Sequence, residues 1–348
     1  MRYYQISPSQ IPVLEHLKFR LLSYQSHFLR RLNFASTYSF ALALFSAVSI
    51  TINTHNYALD EPKTVWYNTD METKKNYFEE FYRIFSDEQK CIDYLYNLRW
   101  ENGWKCPRCL HNEHWKVGNM KYKCKECGYQ STIISGTSLQ RSHLPISKWL
   151  ESAWYIANET GCANALEMLN LIDLGSYHTA LSVLNKLRTA ISRCEKPKLK
   201  NTIIVDDVFI KSDTDGFPYH TYIAVEVIEN GYGQIRMELH SKTDYFSFIR
   251  RNIEKGSIVQ TNGTNIYAKV PEEYKLAVIN KKSGSKMLPL IENVVNEILD
   301  RRLLGSRQSS CSHKKLNLCL EECCFKFNRN NKKAESLFTE ILRSALIF

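Results

Sequence analysis

The chain has no run of about 20 strongly apolar residues, which argues against a membrane-spanning helix. Its nearest approach is STYSFALALFSAVSITI at 36–52, placed after Arg30-Arg31 as a signal anchor would be but diluted by six Ser and Thr. An even cysteine count is also missing. Eleven cysteines, four of them in two C-x-x-C pairs, argue against a secreted disulfide framework and suit metal binding in a reducing compartment. Tryptophan is absent after residue 154. Residues 1–70 lack helix caps, turn signals and clear periodicity; METKKNYFEEFYRIF at 71–85 begins a more organised stretch, and Met71 reads as the translation start.

What is present is an ordinary globular composition over 348 residues, 44% hydrophobic and 24% charged, long enough for two or three domains. The formal net charge of +10 favours an anionic partner, nucleic acid ahead of a membrane surface.

Four segments follow Met71. Ser86-Asp87 caps a predicted helix in which Cys91, Tyr94, Leu95 and Leu98 recur at helical spacing. Next come Cys106 and Cys109, then Cys124 and Cys127 after fourteen intervening residues. Four thiolates on two tight turns can reach one tetrahedral Zn²⁺ at about 2.3 Å each, so this is a zinc ribbon. His111 and His114 find no coordination position in a complete four-cysteine set and read as surface residues. The ribbon is too small to bury a core, so the metal must supply much of its folding energy.

Residues 144–194 read as helices, with Trp149, Ala153, Trp154 and Ile156 on one side of the first. Two shorter helices meet at Gly175-Ser176, and the second carries Ser176, Tyr177, His178 and Thr179 at its start. Both a helix-turn-helix with these four residues against DNA and a plain helical linker fit the pattern.

From residue 201 the period changes to that of strands. NTIIVDDVFI is a buried strand carrying Asp206-Asp207, and two further strands meet at Asn230-Gly231. An amphipathic helix ending at Gly256, the strands SIVQT and KLAVIN, and a helix through LPLIENVVNEILDRRLLG complete the set. Three antiparallel strands, a helix, two strands and a helix make an α/β domain in the ribonuclease H-like order. An Asp inside a buried strand is costly without a metal or another partner. Asn262-Gly263 would suit a tight hairpin, yet Pro271 and a charged run follow instead of a matching strand. Cys319 and Cys323, with Cys311, His313 and Cys324 nearby, read as small core residues rather than a second metal site.

With these segments in this order, the chain resembles the zinc-ribbon DDE transposases of bacterial insertion sequences, the group related to eukaryotic Merlin transposons. The resemblance covers about 82–343 and is carried by FSDEQKCIDYLYNLRWENGWKCPRCLH, KCKECGYQSTIISGTSLQRSHLPISKW, IIVDD and SHKKLNLCLEECCFKFNRNNKK. It implies double-stranded DNA (element ends and target) as partner, a homo-oligomer on DNA, no membrane, and a cytoplasmic, nucleoid-associated or nuclear location. It also implies three acids holding two Mg²⁺ or Mn²⁺ ions for phosphoryl transfer. Asp206 matches the first acid. Glu292 is chosen for the third, with Asn293 and Glu297 as neighbouring registers. The second acid belongs in a T-D-G context, where this chain has Thr261-Asn262-Gly263. Asn262 therefore stands in a metal ligand's place, which marks a degenerate member with impaired strand transfer. The expected domains are an extension at 1–70, helix plus ribbon at 71–135, a helical DNA-binding linker at 136–200 and the DDE-type domain at 201–348.

Overall fold

The computed structural model describes residues 76–347 except 160, 211–218, 230, 241–243, 264, 280–290, 292–293 and 296–312. The expected extension at 1–70, the apolar segment 36–52, Asn230, Cys311 and the third-acid candidates Glu292, Asn293 and Glu297 lie outside the described residues. Among the described residues no helix is long and apolar enough to cross a membrane.

A helix through 76–84 (α1) buries Phe78 and Phe81 and leads to α2, Glu88–Arg99, capped by the Asp87 carboxylate on the Lys90 N–H at 2.9 Å. The ribbon follows as β1 (His114–Lys116), β2 (Lys121–Cys124) and β3 (Gln130–Thr132), an antiparallel sheet in that order. Next is α3, Ile146–Asn158. Its cap position is Pro145, which offers no side-chain acceptor. Glu88 of α2 fills that gap, accepting the N–H groups of Ile146 at 2.6 Å and Ser147 at 3.0 Å. A carboxylate at a helix N-terminus satisfies orphan donors and matches the helix dipole.

Helices α4 (Ala165–Leu171) and α5 (Tyr177–Ser192) are joined by a turn through Gly175. The last helix, α8 (Ala334–Leu346), returns to this layer: its Phe338 ring stacks on Tyr94 at 5.7 Å and meets Trp154 edge-on at 5.2 Å. That return explains why α3 is buried almost all round rather than on the one expected side. Neighbours sit on several of its faces.

The second core is a five-stranded mixed sheet ordered β6-β5-β4-β7-β8. Strands β4 (Thr202–Ile210), β5 (Tyr219–Ile228) and β6 (Gly231–Leu239) run antiparallel, while β7 (Ile258–Thr261) and β8 (Lys275–Val278) run parallel to β4. Helix α6 (Tyr245–Asn252) covers one face, where Val205, Tyr222 and Phe248 share a core. Helix α7 (His313–Phe327) and the helical residues Ile291, Val294 and Val295 cover the other, against Ile204, Val208 and Ile223. Cys319, Cys323 and Cys324 are buried in this second face, as core residues would be.

The FKFNRN stretch closes the β6 edge. The Asn328 amide accepts the Ile235 N–H at 2.7 Å and donates to the Ile235 carbonyl at 3.0 Å. One side chain thus pairs both main-chain groups of an edge residue, as a neighbouring strand would.

Candidate functional site

The metal-binding part of the molecule is built by two turns. The Cys106 N–H donates to His111 O at 2.8 Å, and the Cys124 N–H donates to Tyr129 O at 2.9 Å. Each turn needs a left-handed residue, Leu110 at φ 63° and Gly128 at φ 68°. The turns bring the Sγ atoms of Cys106, Cys109, Cys124 and Cys127 within 4.8 Å of one another. Cys106 lies 3.6 Å from Cys127, and Cys109 lies 3.5 Å from Cys124. A tetrahedron with metal–sulfur bonds of about 2.3 Å has edges of about 3.8 Å, so the donor set fits Zn²⁺. Burial opposes ionisation of Cys106, but the backbone N–H groups of Cys109 and Arg108 outweigh it and hold the thiol below its usual range.

His114 is not the surface residue expected from sequence. It is half-buried against Trp104 at 4.8 Å and Tyr122 at 5.2 Å, and burial, then Lys125, lowers its pKa. It serves the aromatic packing under the ribbon.

A second feature is a groove of about 770 Å³ along α5. Ser176 caps the helix, accepting the Thr179 N–H at 3.2 Å, and the two hydroxyls meet at 2.9 Å. Tyr177 and His178 are exposed at the same end. From there His178, Lys186 and Arg193 run along one side of α5, facing Arg141 across the groove and Lys314 and Lys315 at the start of α7. Among the described residues no carboxylate lines it. Sequence reasoning placed the start of α5 here but missed Arg141, Lys186 and Arg193. Only the fold aligns their separate chain segments.

The third feature is the acid end of the sheet. Asp206 is fully buried in β4, with side chains two positions away (Ile204 and Val208) in the core shared with Ile291 and Val294. The β4–β7 register pairs Ile204 with Gln260, which sets Asn262 beside Asp206. The Asn262 Nδ2 donates to Asp206 Oδ1 at 3.3 Å, and the same oxygen accepts the Asp207 N–H at 3.0 Å. Residues 56 apart in sequence therefore touch.

The turn around Asn262 is fixed. Thr261 Oγ1 donates to Tyr267 O at 2.7 Å and accepts the Gly263 N–H at 3.1 Å. Gly263 has φ 68°, and a Cβ there would lie 2.7 Å from Val278 Cγ1. The glycine serves a close parallel crossing to β8 and not a hairpin. On the other face, Tyr267 and Tyr245 have buried hydroxyls without a described partner. Burial, followed by the charges of Asp207 and Asp206, pushes the Tyr267 phenol well up. Nothing in the sequence pattern singled out these two tyrosines.

Residues 86–130 match the transposase zinc-ribbon domain family. A protein described as an uncharacterized protein in transposable element ISH50, from Halobacterium salinarum, is 25% identical over 140 residues. That match covers 38% of this chain and 46% of the relative, so the chain spans about half the relative's length. No solved structure matches. The two sequence matches support the resemblance to an insertion-sequence transposase.

Proposed function

We propose that the chain is an insertion-sequence transposase-like protein that binds double-stranded DNA at its element's ends, as a homo-oligomer, and whose DDE-type site is impaired. The zinc ribbon and helical segment (71–135 and 136–200) form the DNA-binding half, and 201–348 forms a ribonuclease H-like domain. Strand order and the mixed parallel and antiparallel pairing support that fold assignment.

The groove along α5 supports the DNA reading. Its cations come without carboxylates among the described residues, the arrangement that phosphate contacts need. Tyr177 and His178, exposed at the helix start, are the side chains free to meet base edges. Ser176 and Thr179 spend their hydroxyls on the cap, which moves recognition from those two toward His178.

One observation carries the impaired-site reading: the Asn262 amide donates to Asp206 where the DDE pattern requires a second carboxylate. Two Mg²⁺ or Mn²⁺ ions would activate the attacking oxygen and stabilise the leaving one in such a site. Among the described residues only the ribbon thiolates form a metal-holding cluster, and the Asp206 oxygen already accepts two N–H groups. These residues do not fit a two-ion centre. An amide here also favours a second reading, a non-catalytic DNA-binding protein derived from a transposase. In either case Asp206 has a partner that neutralises part of its burial cost.

The test is electrophoretic mobility and metal-dependent cleavage of a labelled element end by the zinc-loaded full chain. Binding that weakens steeply with salt, with little or no cleavage, is expected. Efficient cleavage with Mg²⁺ by protein whose intact mass shows no deamidation overturns the impaired-site reading; absence of duplex binding at low salt overturns the DNA reading.

A further inference from the structure

Helix α7 devotes one stripe, Cys319, Glu322, Cys323 and Lys326, to holding Glu159, Gly161, Cys162 and Ala163, which lie between α3 and α4. Lys326 Nζ donates to the carbonyls of Glu159 at 3.1 Å and Gly161 at 2.7 Å. Glu322 accepts the Ala163 N–H at 2.9 Å and Arg188 Nε of α5 at 2.7 Å. Within this clasp Cys162 Sγ lies 2.6 Å from Cys323 Sγ and 3.5 Å from the Cys319 carbonyl. The two thiols are 161 residues apart in the chain, and neither belongs to the ribbon's set of four cysteines.

We propose that Cys162 and Cys323 are a modification site: under a peroxide they close a reversible disulfide that fixes the α4–α5 helix pair onto α7. A disulfide bond of about 2.05 Å requires the sulfurs to approach by only about half an ångström. Cys162, at 6% exposure against 1% for Cys323, is the thiol that meets the oxidant. Its S–H is oxidised by HO–OH to the sulfenic acid with loss of one water. The Cys323 sulfur then attacks that sulfur, a second water leaves, and the S–S bond forms. Overall two S–H bonds are lost and one peroxide is reduced to two waters; a small thiol reverses the change by exchange. Hydrogen bonds to Cys319 and Cys323, then burial, hold the Cys162 thiol well above its usual value. Reaction therefore proceeds when Gly161, Cys162 and Ala163 part from α7, and the clasp sets its rate. This inference is independent of the DNA-binding reading.

The experiment treats zinc-loaded full-length protein with graded hydrogen peroxide, then maps peptides without reduction while following zinc release and Tm. The expected result is a Cys162–Cys323 linked peptide, a mass loss of two hydrogens and reversal by a thiol. Tm should rise by about 5 °C or more, because the cross-link closes a long loop. Cys162→Ser and Cys323→Ser should each lose the linked peptide and the rise while binding zinc like the parent. Alkylatable Cys162 and Cys323 at peroxide levels that already release zinc would overturn the proposal, as would pairing of Cys162 with Cys319 or Cys324. The parent's peptide map decides this even if a variant folds poorly.

Discussion

The ribbon and the acid end of the sheet are both places where metal chemistry is expected, and they are built in opposite ways. In the ribbon, four ligands lie within 22 residues on two tight turns, all four sulfurs converge, and the unit has little core of its own. At the sheet, a large core exists already, and one buried carboxylate meets an amide from a distant turn. The ribbon is expected to depend on an ion for its fold. The sheet stands by hydrophobic burial, so it can lose a ligand and keep its shape. Under the proposed reading, that difference is how a chain could retain an intact zinc module beside a catalytic-type site missing an acid.

Zinc removal gives the largest expected effect. Chelation, or Cys124→Ser, should unfold the ribbon, since structural zinc in such modules is worth about 10 kcal/mol or more. All six tryptophans lie between residues 66 and 154, so fluorescence should report that loss. Far-UV signal from the sheet should remain; its collapse on chelation would erase the distinction between the two regions.

Next in size is the buried ion group that joins α5 to α7. Glu322 is fully buried between Arg188 at 2.7 Å and Lys326 at 2.8 Å. Glu322→Gln leaves two buried cations short of their counter-charge and should cost about 3–5 kcal/mol, measured by denaturant unfolding. Burial opposes ionisation of Glu322, but Lys326 and Arg188 outweigh it and hold the carboxyl down to about 2. A carboxyl held low in the folded state stabilises fully above its ordinary range and loses that contribution as pH falls toward about 2. The parent should therefore show acid loosening in that window, and Glu322→Gln should lose this component of its acid profile.

A smaller effect separates the acid end from the ribbon. Gly263→Ala places a side chain at φ 68° and against Val278, for a loss of about 1–3 kcal/mol with zinc content unchanged. Smaller still, Lys314→Gln should lower the slope of log affinity against log salt by about 1 for duplex DNA, without altering sequence preference. His178→Ala should do the reverse, shifting preference more than overall affinity.

The ribbon was legible in the sequence because its chemistry is local: cysteine spacing and turn formers specify it before any tertiary contact forms. The succession of strands along the chain was legible too, from hydrophobic period and from Gly256 and Asn230-Gly231 as punctuation; their order within the sheet was not. The burial of α3 on several sides was not, since α8 arrives from the far end of the chain to cover it. His114 was misjudged for a related reason: the Trp104 and Tyr96 rings around it come from outside the strand that carries it. Cys162 carried no motif of its own, and only the fold brings it to Cys323. Asn262 lies between these cases. The T-N-G context placed it, but its hydrogen bond to Asp206 depends on the β4–β7 register.

The most direct test of the impaired-site account is a calorimetric titration of zinc-loaded parent and Asn262→Asp with Mn²⁺. Intact mass should be checked before each run, because Asn-Gly sequences deamidate. Asn262→Asp restores a carboxylate at nearly unchanged volume beside Asp206, so it should fold like the parent and bind Mn²⁺ at least tenfold more tightly, a difference of about 1.4 kcal/mol. Equal Mn²⁺ affinity in the two proteins would contradict the claim that Asn262 occupies a lost ligand position.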